Sequence, residues 1–300
     1  MRGTDMRDAA TVKVRLFRFD PERDEAPGYT THLVPRTRGM RVLDALTHIY
    51  ETDQDSDVAF RWFCGTKKCG ECAMTENGVP MLSCWEAAAD EMTIEPLANF
   101  PIIRDLVVDT QPYEEMIVRL QPRLRRAAPP AFPEVISHDR MTDVQKLIKC
   151  IECNVCTAAA PAPGLNPDGV AWDGHAGAAA LVRFSRFVLD VRDETDRRSL
   201  AVQAGLDRFP LFQDLARICP QGIDILEDAV LPARRRLFGE AGGDAVAPAA
   251  STVFVSAPGW GAFVRLADDR KRELLAAGVI APRHLAGLNE AYNLRARLSA

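Results

Sequence analysis

Long apolar runs are missing from this 300-residue chain, and nothing approaches the ~18 consecutive apolar residues that a membrane-crossing helix needs. The first ten residues, Met1 to Ala10, are polar and charged and lack the apolar core of a secretory leader, so no export signal is expected. An excess of basic charge is missing too. The net charge is −5, whereas a nucleic-acid-binding chain collects a basic face, so no nucleic acid is expected as a partner and a cytoplasmic location is. Histidine is sparse. His32, His48, His138, His175 and His284 show no metal-like spacing to one another or to cysteine, which makes them surface or satisfied-core residues. What remains is an ordinary hydrophobic content of 47% in a chain long enough for two domains.

Against these absences stand eight cysteines, which divide into two sets of four. A disulfide framework belongs to small secreted domains, and this chain is large with no export signal. Cys64, Cys69, Cys72 and Cys84 form C-x4-C-x2-C-x11-C, the spacing that wraps a plant-type [2Fe–2S] cluster. Gly65 and Gly70 let the backbone curl tightly there, and Lys67 and Lys68 add positive charge. Cys150, Cys153 and Cys156 form C-x2-C-x2-C, three ligands of a bacterial-type [4Fe–4S] cluster. In the bacterial run a fourth cysteine follows after three residues, before a proline, and it serves the other cluster of a pair. Here that position is Ala160, followed by Pro161, so the fourth thiolate for this cluster is assigned to Cys219, before Pro220. Zinc held by four thiolates is the competing reading, but its usual form is two separate C-x2-C pairs.

The pattern around the cysteines gives an α+β chain. Val12, Val14 and Leu16 alternate with charged residues, residues 20–28 form a break, and His32 to Val34 reads as the returning strand. Val42, Leu43, Leu46 and Ile49 have helical spacing over residues 40–52. A short strand is expected at Ala59 to Phe63 and another at Met92 to Pro96, with a turn at Gly78 between them. This describes an N-terminal β-grasp plant-type ferredoxin domain over residues 1–118. Residues 119–135, with Pro122, Pro129, Pro130 and Pro133, read as a linker. An all-α, bacterial-ferredoxin-like [4Fe–4S] domain follows over 136–240. In it Leu181, Phe184, Val188 and Val191 mark one helix, and Asp224 to Phe238 another. Residues 241–300 read as a Gly/Ala-rich linker and a helical C-terminal extension, with helices around Arg265 to Gly278 and His284 to Leu298. Arg183, Arg186 and Arg192 read as a solvated face, and Arg234 to Arg236 as a complement to a helix dipole.

The order of these motifs resembles the iron–sulfur subunit of the succinate dehydrogenase and fumarate reductase (complex II) family, over roughly residues 11–240. The resemblance is carried by the Cys64–Cys84 loop, P-L-A-N-F-P-I-I-R-D-L-V-V-D from Pro96 to Asp109, and C-I-E-C-N-V-C from Cys150. R-F-V-L-D-V-R-D from Arg186 to Asp193 and C-P-Q-G from Cys219 complete it. It implies an electron-transfer subunit with no catalytic residue of its own, cofactors [2Fe–2S] and [4Fe–4S], and FAD on a partner flavoprotein subunit. The route would run onward to quinone at a membrane anchor or to a soluble acceptor, which would place the subunit peripherally on the cytoplasmic face of a membrane. In the family a [3Fe–4S] cluster lies beyond the [4Fe–4S]. Its ligands would include the position of Ala160 and two cysteines shortly before Cys219, and residues 209–218 contain neither, so no [3Fe–4S] is expected. The segment that shapes the quinone pocket is here Pro161-Ala162-Pro163-Gly164. Two alternatives stay open: an iron–sulfur subunit of a soluble flavoprotein oxidoreductase with a different substrate, and a zinc-stabilised interaction module.

Overall fold

The computed structural model describes residues 11–53, 57–160, 164–165, 172–173, 175–209 and 215–239. Strand β1, Thr11–Arg18, buries Val12, Val14 and Leu16 on one face and leaves Lys13 and Arg15 on the other, the two-residue period of a half-buried strand. It pairs antiparallel with β2, Gly28–Pro35, in a register running from Thr11↔Pro35 to Arg18↔Gly28. Strands β3, Ala73–Glu76, and β4, Val79–Leu82, form a hairpin. Its turn residues Asn77 and Gly78 both have positive φ (48° and 84°), as a two-residue Asn-Gly hairpin turn requires. Strand β5, Glu91–Glu95, joins the parts, parallel to β1 and antiparallel to β3, giving the order β2-β1-β5-β3-β4. Helix α1, Val42–Thr52, presses Val42, Ala45, Leu46 and Ile49 into the core that also holds Val14, Leu16, Met74 and Ile94.

The expected strand at Ala59–Phe63 does not form. The segment is held to the turn after β6 (Ile102–Arg104), where Leu106 N donates to the Ala59 carbonyl at 3.1 Å. The aromatic run that suggested a buried strand instead turns outward: Phe63 is 79% exposed and Trp62 51%. Buried Asp105 organises this corner, accepting from Phe19 N at 3.0 Å, Ala59 N at 2.9 Å and Arg18 Nε at 3.0 Å. The first aspartate of the I-I-R-D-L-V-V-D run is thus the staple between β1 and the segment entering the first cysteine loop.

Beyond β7 (Val107–Val108) the chain is mainly helical, with α2 Gln111–Arg119, α3 His138–Ile148, α4 Val155–Ala159, α5 Ala178–Val188, α6 Arg198–Gln203 and α7 Leu215–Ile218. It is not all-α as expected, because β8, Gly164–Leu165, pairs antiparallel with β9, Trp172–Asp173. A π-helical turn, Ile225–Val230, capped by the Asp224 carboxylate, runs into α8, Leu231–Phe238. The expected helix over Asp224 to Phe238 is therefore present, with its first half in the wider π form and only its second half α-helical. Leu181, Phe184 and Val188 are buried on α5, but the helix ends at Val188 and Val191 lies beyond it. Among the described residues no helix is long and apolar enough to cross a membrane.

Three arginine readings change. Arg183 is not a solvated cation but pairs with Glu152, and Arg192 lies outside α5, paired with Asp190 at 2.6 Å. Arg234 is fully buried and donates from Nε to the Leu206 carbonyl at 2.6 Å, which leaves Arg235 and Arg236 at the helix end. The proline-rich stretch after α2 is strapped down: Arg125 N donates to Asp193 at 2.9 Å and Ala127 N to Glu194 at 2.7 Å. The expected Gly/Ala-rich linker, the two C-terminal helices and residues 161–163 lie outside the described residues.

Candidate iron–sulfur centres

None of the eight cysteines forms a disulfide. The first quartet sits on a loop between residue 63 and β3, with Cys84 arriving after β4. Three left-handed residues, Gly65 (φ 65°), Lys67 (φ 59°) and Gly70 (φ 83°), coil the loop and turn its N–H groups inward. Thr66 N and Lys68 N donate to Cys64 Sγ at 3.4 and 3.3 Å, and these donors pull the Cys64 thiol down to about 6. Cys72 and Cys84 are buried, and burial pushes Cys72 up to about 12.

The second quartet is built differently. In C-I-E-C-N-V-C the residues Glu152 (φ 56°) and Asn154 (φ 61°) take left-handed backbone, which reverses the chain twice and lets consecutive cysteines point to one side. Asn tolerates this conformation; Glu does so rarely, and here Arg183 clamps its carboxylate while Tyr113 Oη lies 3.4 Å from it. Cys150, Cys153, Cys156 and Cys219 line one cavity, closed by Ala179, Val182 and Ile225. Burial raises the thiols of Cys150, Cys153 (to about 12) and Cys156, and the other thiols of the set raise them further. Four soft donors in a largely apolar cavity suit a cationic iron–sulfur core, which would stabilise them as thiolates and release their protons on loading. Among the described residues no group of three or more His, Cys, Asp or Glu side chains stands where it could hold a single metal ion.

The two loops share a seam. Leu43, Cys72, Leu82, Cys84 and Val155 form one buried cluster, with Ile151, Cys153 and Ile218 packed against it. Gln221 Nε2, two residues past Cys219, donates to the Lys67 carbonyl at 2.8 Å. Residues that sequence reasoning passed over support the two loops. Asn99, in the P-L-A-N-F run, is buried and donates to the carbonyls of Thr157 at 3.1 Å and Ala160 at 3.1 Å, fixing the end of α4. Ala160 itself is fully buried in the helical core. Two of the histidines have partners within the fold: His175 is buried edge-on against Phe209, and His32 lies 3.2 Å from Asp53.

The unequal thiols give a direct test. In reduced protein stripped of metal, Cys64 is expected to be alkylated first by iodoacetamide at pH 7, with a rate midpoint near pH 6 because the thiolate prevails above its lowered value. Cys153, pushed up to about 12, should stay unmodified. Peptide mapping by mass spectrometry reads both, and equal labelling of the two would show that the Thr66 and Lys68 amides do not hold a thiolate at Cys64.

A family model described as a 2Fe-2S iron-sulfur cluster binding domain matches residues 13–115. The fumarate reductase iron-sulfur subunit of Mycobacterium tuberculosis is 35% identical over 225 residues, covering 71% of this chain and 87% of the relative. A fumarate reductase (CoM/CoB) subunit of Methanothermobacter marburgensis is 30% identical over 232 residues, covering 77% of this chain and 45% of the relative. A chain in the solved structure of the Mycobacterium smegmatis Sdh1 complex in its apo form matches with TM-score 0.66 and 26% identity, covering 77% of this chain and 96% of that one. With an α+β fold, a 2Fe-2S-binding N-terminal part and these relatives, the chain belongs to the family of iron–sulfur subunits of fumarate reductase and succinate dehydrogenase, non-catalytic electron-transfer subunits of oxidoreductases.

Proposed function

We propose that this chain relays electrons singly between a partner FAD-containing flavoprotein subunit and an onward acceptor, through a [2Fe–2S] cluster on Cys64, Cys69, Cys72 and Cys84 and a [4Fe–4S] cluster on Cys150, Cys153, Cys156 and Cys219. The observation that carries it is the shared seam: two complete thiol quartets packed through Cys72, Cys84, Val155 and Cys153. When bound, the clusters supply one-electron chemistry. The protein's part is to hold them close, to shield the second in an apolar cavity, and to direct the Thr66 and Lys68 backbone N–H groups at the first. The reading divides the chain into a β-grasp domain to residue 118, a linker over 119–135 and a helical domain over 136–240, with an extension beyond, and carries no [3Fe–4S] cluster.

The flavoprotein docks, on this reading, at the edge of the first loop, where Trp62 and Phe63 stand exposed immediately before Cys64. Paired exposed aromatics beside a redox centre are the residue types that dominate interface energy. The second reading is transfer to a soluble acceptor with a different substrate on the flavoprotein; the relative named with CoM/CoB is still named a fumarate reductase and favours no change of substrate. Membrane association through partner subunits belongs to the first reading.

Anaerobic purification of the tagged chain from its own cells tests this. The expected product is brown, holds about six irons with matching sulfide, and brings down an FAD-containing subunit. Trp62→Ala together with Phe63→Ala should release that subunit, at a cost of roughly 2 kcal/mol or more in binding, while iron content is kept. A colourless protein carrying zinc would end the redox reading. Copurified membrane anchor and quinone reduction would favour quinone as acceptor; their absence with FAD subunit present would favour the soluble one.

A further inference from the structure

We infer that Gly70 is a spacer between the two cysteine loops, a positioning residue that sets how closely the two clusters approach. The inference rests on the proposed assignment of the quartets. Gly70 lies between Cys69 and Cys72, and its Cα faces the second loop directly. A Cβ built there would stand 3.0 Å from both Cα and Cβ of Cys153 and 3.1 Å from the Ile151 carbonyl oxygen. Those atoms are backbone, or rigidly attached to it, in the loop that carries the second quartet. No side-chain rotation relieves the clash, so even a methyl group must push the loops apart by a few tenths of an ångström, and a larger side chain by more. The two loops therefore touch through bare backbone, as near as two polypeptide segments can pack.

Two further observations make this contact a spacing device. The Gln221–Lys67 hydrogen bond of 2.8 Å joins the same two loops at a second point, again within a few residues of a cysteine on each side. A cleft of about 410 Å³ opens beside Gly70 and Cys153, so the loops are not wedged together by a solid core all round and have room to separate. Gly65 supplies the contrast. It shares the loop and the left-handed backbone (φ 65° against 83°), yet a Cβ there meets nothing within 4 Å. Gly65 answers a local backbone need, whereas Gly70 answers that need and a contact across the seam.

With both clusters held by their quartets, the step served would be passage of one electron between them, one group being oxidised as the other is reduced. Its rate falls steeply with separation, so a displacement that leaves both clusters intact still slows it.

Electron paramagnetic resonance on the dithionite-reduced whole protein tests the spacer, because two reduced clusters each carry unpaired spin and their mutual coupling weakens steeply with distance. Gly70→Ala is expected to keep both clusters by iron and sulfide content and to show measurably weaker coupling than wild type. Gly65→Ala carries the same backbone penalty and is expected to retain the coupling; equal loss in both variants would trace the effect to loop strain and overturn the spacer. Unchanged coupling in Gly70→Ala with both clusters present overturns it as well. If Gly70→Ala loads no first cluster, Gln221→Ala decides: weakened coupling supports a pinned seam, and unchanged coupling sinks it. A wild-type protein without iron would instead remove the assignment of the quartets, a different failure read from metal content alone.

Discussion

Cys219→Ala is expected to abolish the second cluster and spare the first, taking iron from about six to about two per chain and stopping electron passage to any acceptor beyond it. The size of the effect follows from how the second cavity is built. Cys150, Cys153 and Cys156 come from one tightly coiled loop, whereas Cys219 enters from after α7 and brings the only thiol contributed by that side of the cavity among the described residues. The cavity is largely apolar, and burial already holds the Cys153 and Cys156 thiols well above their ordinary values. Thiolates form there only against the positive charge of a metal core. With one corner unligated, an iron faces no further thiolate, and Ala179, Val182 and Ile225 offer no side-chain donor. The amides of Asn154 and Gln221, the polar side chains of the lining, are neutral, hard donors already hydrogen-bonded to Thr157 and the Lys67 carbonyl. Loss of the cluster should leave three neutral buried thiols and a folded but less stable chain, because Cys156, Ala179, Val182 and Ile225 belong to the helical core, which continues beyond the cavity through Phe184, Phe209 and Val230. Iron and sulfide analysis with electron paramagnetic resonance of the reduced variant reads the result. A variant that still holds about six irons would show that some other residue completes the set and that Cys219 is not the fourth ligand.

The iron–sulfur character of the chain was legible because iron ligation tolerates few residue types and strict local spacings, and the 2Fe-2S-binding part over residues 13–115 carries such a spacing. The sheet was readable for a similar reason: Val12, Val14 and Leu16 alternate because one face of β1 is buried. What escaped was decided by tertiary contact. Ala59–Phe63 has a strand's composition, but Asp105 ties its first residue to the turn after β6 and no neighbouring strand is left for it among the described residues. Gly70 and Gly65 look alike in the sequence, since both answer to a left-handed backbone; only the approach of Cys153 separates them. Glu152 reads as a charged spacer between ligands, and its work is to hold a left-handed turn with Arg183 and Tyr113 as its partners. Arginine misled most consistently. A cation in a polar stretch is expected to face water, yet Arg183 and Arg192 are each clamped to a carboxylate and Arg234 is buried against carbonyls.

Arg197 carries the second large expected effect. Its side chain is 2% exposed, and its Nε donates to Asp193 Oδ2 at 2.6 Å, itself 3% exposed. Its remaining donors reach the chain leaving α2: Nη1 the Gln121 carbonyl at 3.2 Å and Nη2 the Arg123 carbonyl at 2.7 Å. The guanidinium also stands 5.3 Å from the Phe187 ring centre. One planar fork therefore binds α6, the Asp190–Asp196 turn and the start of the proline-rich stretch, and Asp193 accepts from Arg125 N at 2.9 Å on its other oxygen. Arg197→Ala deletes the cation while the carboxylate and the carbonyls stay buried, the case in which breaking an ion pair costs most, about 3–5 kcal/mol. In a chain of this size that is a fall in melting temperature on the order of 10 °C. Arg197→Lys keeps the charge but replaces the fork by a point charge that cannot serve Asp193 and two carbonyls in one plane, so it should recover only part of the loss. Replacing Asp193 as well removes the stranded charge, and Arg197→Ala combined with Asp193→Ala should therefore cost less than the sum of the two single changes. Thermal melts of these variants beside wild type, each at matched iron content, measure this directly. A single Arg197→Ala change within about 0.5 kcal/mol of wild type would show that the fork adds nothing beyond the packing around it, and that the stretch after α2 is held by Arg125 and Ala127 alone.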